Sequence, residues 1–285
     1  INFKIEDLSV LKTVVTTYEL IAAAAMQKSR DSVLANREFH TDLNVVFQEV
    51  RTAYRERLSK LERRKKMLSA ILPEGFFKLS KKIYVLLSAN TGLYGSIIPK
   101  TFELFVNEIK NAKPDDIAII GKVGNIFFKN AFPAANFRYF DFPDSEISLS
   151  ALRDISKFLG KFGEIVVFHG TFKSILTQLA VYSSVSGSSL KSENTPEANL
   201  AKYRFEPALE EIFKFFETEI FASLLEQVFH ESRLAKLASR LVLLDNAAVN
   251  IEKFLGRAIF EKRRANHYEL NRRQVNTYGA FALWE

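Results

Sequence analysis

The 285-residue chain is predicted to be of mixed α+β/α/β class, a long antiparallel coiled coil of N- and C-terminal helices plus a central α/β domain. Three observations predict it. Glycine and proline are absent from residues 1–72, the first breakers being Pro73 and Gly75, so the chain opens on one long helix. After Pro207 there is no further proline, and only Gly256 and Gly279 interrupt, so it closes on another. Between them, short β-rich apolar runs alternate with helical stretches, the pattern of a small, mainly parallel sheet covered by helices. With 47% hydrophobic residues and 26 phenylalanines the chain can bury a sizeable core, which excludes wholesale disorder and collagen-like or mucin-like classes. The lack of cysteine excludes disulfide scaffolds, thiolate metal sites and cysteine nucleophiles.

In the first helix Leu8, Leu11, Val15, Tyr18, Ala22 and Ala25 recur at alternating spacings of three and four, and Phe39, Leu43, Val46, Val50 and Ala53 resume the count. Ser29, Ser32 and Asn36 lie between, a waist with little apolar burial. About 60 helical residues give a rod on the order of 90 Å. It ends in a basic run, Arg55, Arg57, Lys60, Arg63, Arg64, Lys65 and Lys66. Strands follow at Lys82–Leu87, Asp116–Ile120 and 164–168, continuous and apolar as in a sheet buried on both faces. Helices are expected near 99–110 and 148–158, with a glycine-bearing loop at Gly92 and Gly95 and a solvated loop over 183–198. This middle part reads as a Rossmann-like domain. In the last helix Leu234, Leu237, Leu241, Leu244, Ala248, Ile251, Leu255 and Ala258 keep the three-four alternation of a left-handed seam. The implied boundaries are 1–72 for the N-terminal helix, 73–200 for the α/β domain and 201–285 for the C-terminal helix.

The longest strongly apolar runs, such as 21–26 and 117–120, fall far short of the roughly 20 residues that cross a bilayer, so no spanning segment is expected. Glu6 and Asp7 near the start, with no basic region ahead of an apolar stretch, argue against a cleavable signal.

Chemistry is sparse. His40, His169, His230 and His267 are scattered without the spacing of a metal motif and are expected at helix surfaces or strand ends. Gly121-Lys122 lacks the earlier glycine and following Ser or Thr of a phosphate loop, Asp116 and Val123 standing there instead. Gly92 and Gly95 lack the third glycine of a dinucleotide fingerprint and are expected to form a tight strand-to-helix turn. Ser88 and Ser174 have neither a nucleophile elbow nor a nearby base. No catalytic residue, metal or cofactor is expected. The formal charge of +7 and the 55–66 run permit a basic coiled-coil protein that binds nucleic acid, but the run has no interleaved aromatics and no reading motif. A solvated helix face, or contact with acidic protein loops or anionic lipid, are the other readings.

Several fragments resemble, in order along the chain, the gamma subunit of F-type ATP synthases. Leu20-Ile21-Ala22-Ala23-Ala24 is similar to that family's Met-Val-Ala-Ala-Ala, and 88–95 to Thr-Ser-Asp-Arg-Gly-Leu-Cys-Gly, both glycines and the leucine being kept. Gly121-Lys122-Val123-Gly124 with Phe127-Phe128, Phe172-Lys173-Ser174 with Gln178, and Tyr203, Glu206 and Pro207 resemble its central elements. Arg240-Leu241-Val242 with Asn246-Ala247 and Asn250 resembles the Arg-Met motif of the last helix, and 279–283 its closing Gly-Ala-x-Ala-Leu. Departures include Ala235-Lys236 in place of Ser-Glu and a basic stretch at 262–273. The resemblance implies a divergent member or paralogue acting as the non-catalytic rotor shaft. Its partners would be the alpha and beta subunits of the hexamer, the epsilon and delta subunits and the membrane c-ring, with no nucleic acid and no small-molecule substrate. It further implies that Arg240, Lys262, Arg263, Arg264, Arg272, Arg273, Phe281, Leu283 and Trp284 face the hexamer, and that the 55–66 run lies on the ring side. The place implied is the cytoplasmic face of a bacterial plasma membrane, or the matrix side of an organelle.

Overall fold

The computed structural model describes residues 2–64, 81–144, 147–185 and 209–281. In chain order the elements are α1 (Asn2–Arg64), β1 (Lys82–Leu87), α2 (Ile97–Ala112), β2 (Asp116–Ile120), α3 (Lys122–Ala131), β3 (Arg138–Phe140), α4 (Leu149–Leu159), β4 (Glu164–Phe172), β5 (Gln178–Ser184) and α5 (Leu209–Phe281). The expected domain boundaries at 72/73 and 200/201 lie outside the described residues. The chain forms two compact units, one of Ile1–Ala25 and Arg240–Glu285, the other of Met26–Ser239. Each long helix contributes to both.

In the larger unit the strands are ordered β3-β2-β1-β4-β5, with β1 parallel to β2 and β4, β2 parallel to β3, and β5 antiparallel to β4. The apolar runs of the inner strands serve two faces at once. Ile83, Val85 and Leu87 of β1 join Ile155 and Leu159 of α4 and Leu225, Val228 and Phe229 of α5 in one core. Tyr84 and Leu86 point the other way, into a cluster with Phe105 of α2, Phe128 of α3 and Phe168. Alternate side chains of a strand point to opposite faces, so a strand covered on both sides must be apolar throughout. Phenylalanine supplies much of this second cluster, with tilted and edge-on ring pairs such as Phe105 with Phe168 at 5.2 Å.

Four elements differ from the sequence expectation. Strand β5 occupies 178–184, where no strand was expected, and its last two residues, Ser183 and Ser184, fall in the stretch expected as a loop, because the whole segment is paired to β4. Strand β4 runs on to Phe172 rather than stopping near 168, since β5 gives it a partner. Helix α3 and the short β3 carry too few residues to announce a period in sequence. In addition, Phe3–Asp31 of α1 is long and apolar enough, by length and composition alone, to cross a membrane. The separate apolar runs are joined there by uncharged Thr and Ala, which a search for unbroken runs passes over.

Candidate functional site

In a sheet of order β3-β2-β1-β4, the strand order reverses between β1 and β4, and the crevice at their carboxyl ends is where doubly wound folds bind ligands. Here helix α5 fills it. Glycine is required at Gly170 of β4, where a Cβ would come 2.7 Å from Cγ1 of Ile97 and 3.3 Å from the Cβ of Ala235. Ser239 donates to the carbonyl of Tyr94 at 2.7 Å, and Gly95, at φ +56°, leaves that seryl hydroxyl its space. Beside this crevice, at the carboxyl ends of β1 and β2, a cavity between Ser88, Ile120, Phe142, Asp144, Arg233 and Lys236 is about 10 Å³, the size of one water.

Two cations of α5, Arg233 and Lys236, line this cavity. Lys236 of α5, with an ammonium-bearing side chain only 11% exposed, donates to the carbonyl of Ser88 at 3.0 Å and meets Asp144 Oδ1 at 3.4 Å. The other oxygen of Asp144 accepts from the backbone N–H groups of Asn90 and Thr91, each at 2.9 Å, and from the Thr91 hydroxyl at 3.0 Å. Asn90 in turn accepts from the N–H of Lys122 and donates to Asp141. The glycine-bearing turn after β1, expected as a strand-to-helix turn, is thus held by polar groups to the segments that follow β2 and β3.

A second polar cluster lies where β4, α1 and α5 approach within the same unit. Arg37 forks onto Glu231 through Nε and Nη2, and its Nη2 also donates to the carbonyl of Phe172 at 3.0 Å. Thr171 donates to Glu231 at 3.2 Å. The hydrogen bonds and charge of Glu231 raise the guanidinium pKa above its ordinary value. Beside them His169 is buried within β4, not at a strand end or surface as expected, with Nδ1 3.1 Å from the Gly170 carbonyl and Nε2 2.9 Å from Ser183 Oγ. Burial lowers its pKa, partly offset by the Gly170 carbonyl and the charge of Glu231. Sequence spacing gave no sign of this cluster, because its members come from positions 37, 169, 171, 183 and 231.

In the smaller unit, Lys12 of α1 and Glu252 of α5 form an ion pair at 3.1 Å. Along α1 the less exposed positions include Ile5, Leu8, Lys12, Val15, Glu19 and Ala22, a three-four alternation flanked by the half-buried Thr16, Ala23 and Ala25, and in the larger unit the same spacing runs on through Met26, Ser29 and Val33. Leu8, Val15 and Ala22 belong to the expected stripe, but Leu11 and Tyr18 are 47% and 53% exposed and their places are taken by Lys12 and Glu19. Long charged side chains can lay their stems along a seam with the charged tip outside, so the apolar residues alone misplace the register. Val10, Leu11, Val14, Tyr18, Leu20 and Ile21 instead give α1 an exposed apolar surface. On α5, Leu234, Leu237, Leu244, Ile251 and Ala258 are buried and Leu241, Ala248 and Leu255 half-buried, at the expected spacing.

Arg240 and Lys262 are half-buried, and Arg263, Arg264, Arg272 and Arg273 are exposed on α5, Arg273 pairing with Glu269 one turn earlier at 2.5 Å. Phe281 ends α5, while Leu283 and Trp284 lie outside the described residues. Arg55, Arg57, Lys60, Arg63 and Arg64 are in the last turns of α1, and Lys65 and Lys66 lie outside the described residues. His230 is 3.6 Å from Glu226, and His267 is exposed. Among the described residues no group of three or more His, Asp or Glu is placed to hold a metal.

A sheet-bearing body whose ligand crevice is filled by its own terminal helix, with both chain ends contributing to a second unit, is the architecture of a central-stalk subunit. Residues 1–266 match the protein-family model described as ATP synthase. Curated relatives are the ATP synthase gamma chains of Mycoplasmopsis pulmonis, 25% identical over 86% of this chain and 85% of that one, and of Clostridium botulinum strain Okra, 21% identical over 90% and 86%. The fold is similar to that of a chain in the Tetrahymena thermophila mitochondrial ATP synthase central stalk and c-ring, with TM-score 0.54 and 14% identity, covering 82% of this chain and 99% of that one. A chain of the Euglena gracilis mitochondrial ATP synthase is similar at TM-score 0.50 and 14% identity, covering 91% and 94%. The chain belongs to the ATP synthase gamma subunit family. Its role is that of the non-catalytic rotor shaft in an F-type ATP synthase, where the catalytic sites are on the beta subunits.

Proposed function

We propose that the shaft is an antiparallel coiled coil made by the N-terminal helix, 1–72, and the C-terminal helix, 201–285, with the α/β domain of 73–200 as its foot. One observation carries this reading: residues 1–25 and 240–285 form one compact unit, in which Lys12 and Glu252, 240 positions apart in sequence, are paired. The alternating burial of Leu237, Leu241, Leu244, Ala248, Ile251, Leu255 and Ala258 supports a seam of left-handed hand. Two helices packed along such a seam resist bending and twisting better than one, which a part that carries torque requires.

The shaft turns inside the hexamer of alternating alpha and beta subunits, presenting a different face to each catalytic subunit in turn. The exposed apolar surface of Val10, Leu11, Val14, Tyr18 and Ile21 suits packing against an apolar sleeve, since patches of this kind mark interaction sites. Arg240, Lys262, Arg263, Arg264, Arg272, Arg273 and the terminal Phe281, Leu283 and Trp284 face the hexamer. The run Arg55, Arg57, Lys60, Arg63, Arg64, Lys65 and Lys66 faces the polar loops of the membrane c-ring, and the epsilon and delta subunits complete the assembly. The complex sits on the cytoplasmic face of a bacterial plasma membrane or the matrix side of an organelle.

The test is native purification followed by assay of the assembled complex. The gamma chain is expected to co-elute with alpha and beta subunits, and Leu244→Asp, which puts a charge at a buried position, is expected to abolish assembly or coupled ATP hydrolysis. Normal coupled hydrolysis in a complex containing that variant would reject the seam. Charge reversal at Arg55, Arg57 and Lys60 is expected to lower ion-coupled activity, and an unchanged coupling ratio would leave that run as solvated surface.

A further inference from the structure

Resting on the rotor reading and going beneath it, we infer that Lys236 is a positioning residue for torque: its ammonium fixes α5 in one angular register on the carboxyl edge of the sheet, so that body and helix turn as one part under load. Apolar packing alone does not do this, because it is non-directional and nearly equal contacts are regained after a small slip. An ammonium is different. A shift of α5 by one residue advances it about 1.5 Å and turns it by about 100°. That would drag the Lys236 Nζ away from both the Ser88 carbonyl and Asp144, into surroundings that include Phe142 and Phe229.

The receiving side is built to take force. Asp144 is tethered to Asn90 and Thr91 by the three hydrogen bonds already described, so it cannot follow a moving helix. The same turn is bonded onward to β2 through Ser88 N–H and the Ile120 carbonyl at 2.8 Å, and to the start of α3 through Val123 N–H and the Ala89 carbonyl at 2.9 Å. Asn90 reaches Asp141, just beyond β3. A load on Lys236 is therefore shared among the carboxyl ends of three parallel strands. From Lys236, α5 continues without interruption into the segment that forms a unit with the N-terminus. Arg233, three residues earlier on α5, lines the same cavity, and Lys236 is the latch because its ammonium both donates to the Ser88 carbonyl and pairs with Asp144.

The experiment uses the assembled ATPase reconstituted into sealed vesicles, with gamma carrying the double change Lys236→Met and Asp144→Asn. Neither charge is left buried alone and side-chain volumes are nearly kept, so the complex is expected to assemble and to melt close to the native one. ATP hydrolysis and ion pumping without an opposing gradient are expected to persist. Against a rising ion gradient the double variant is expected to stop pumping, while still hydrolysing ATP, at a gradient the native complex sustains. A purely structural role would show no such dependence on load. If the double variant reaches the same maximum gradient as the native complex, the inference is overturned. If it fails to assemble, Asp144→Glu decides: that change keeps both charges but moves the carboxylate by one methylene, and a lowered maximum gradient supports the latch while an unchanged one overturns it. A native chain that never enters an ion-pumping ATPase would instead sink the rotor reading, and the latch with it.

Discussion

At the scale of single residues, the polar groups buried on α5 dominate what can be measured. Glu231 accepts from Arg37 and Thr171 with a side chain only 7% exposed, whereas the Arg37 side chain is 38% exposed. Removing one member of a fully buried pair costs about 3–5 kcal/mol and of an exposed pair about 0–1, so Glu231→Ala is expected to cost about 1–3 kcal/mol in urea unfolding. The paired change Arg37→Met with Glu231→Leu is expected to cost less than that single one. His169 gives a pH dependence. The native histidine holds a pKa below its ordinary 6.5, so the unfolded chain binds the extra proton first as pH falls. Stability is thus level above the unfolded value and declines as pH drops through it towards the native one, with a slope of up to about 1.4 kcal/mol per pH unit. His169→Gln is expected to flatten that decline between about pH 7 and 5, with Glu231 and Arg37 left in place. An equal acid slope in both proteins would show that His169 is not its source.

At the scale of elements, two glycines make opposite predictions. Gly124 lies in the first turn of α3 and a Cβ there would fall 2.6 Å from the Cβ of Ser88, so the helix can approach β1 only without a side chain. Gly124→Ala is expected to destabilise the chain by about 1–3 kcal/mol through overpacking. Gly256 is exposed in the middle of α5, with nothing within 4 Å of a built Cβ. Gly256→Ala is expected to stabilise the isolated chain by about 0.5–1 kcal/mol, since alanine loses less backbone freedom in a helix. Thermal or urea unfolding of the two variants side by side checks both signs. The same logic separates the two stripes of α1 and α5. Leu244→Ala empties a buried site and is expected to cost about 2–4 kcal/mol, whereas Leu11→Ala on the exposed face is expected to stay within about 0.5 kcal/mol. In the assembled complex Leu11→Ala is expected to weaken association rather than folding, measurable as easier release of gamma from the hexamer.

At the scale of the whole molecule, the chain has the parts of a machine element rather than of an enzyme. The crevice that doubly wound sheets offer to ligands is occupied by the chain's own terminal helix, and the charges placed there hold two protein elements together. The interactions its described residues make are those of contact: hydrogen bonds, ion pairs and apolar packing. Those are the interactions that a rotor shaft needs, because its work is done through its contacts.

Local pattern determined a good deal by itself. A long run without glycine or proline wrote α1, a long run without proline and with only two glycines wrote α5, continuous apolar runs wrote β1, β2 and the start of β4, and the alternation from Leu234 to Ala258 marked buried positions of α5. These features were legible because each depends on residues close in sequence. Strand β5 and the end of β4 were not, because a strand with serines and an exposed face becomes one only when a neighbour supplies its hydrogen bonds. The register of α1 was decided by packing too, since Lys12 and Glu19 can lie where Leu11 and Tyr18 looked better suited. Least legible were Arg37 with Glu231 and Lys236 with Asp144: a buried charge is tolerable only opposite its partner, and folding alone brings together positions 194 and 92 residues apart.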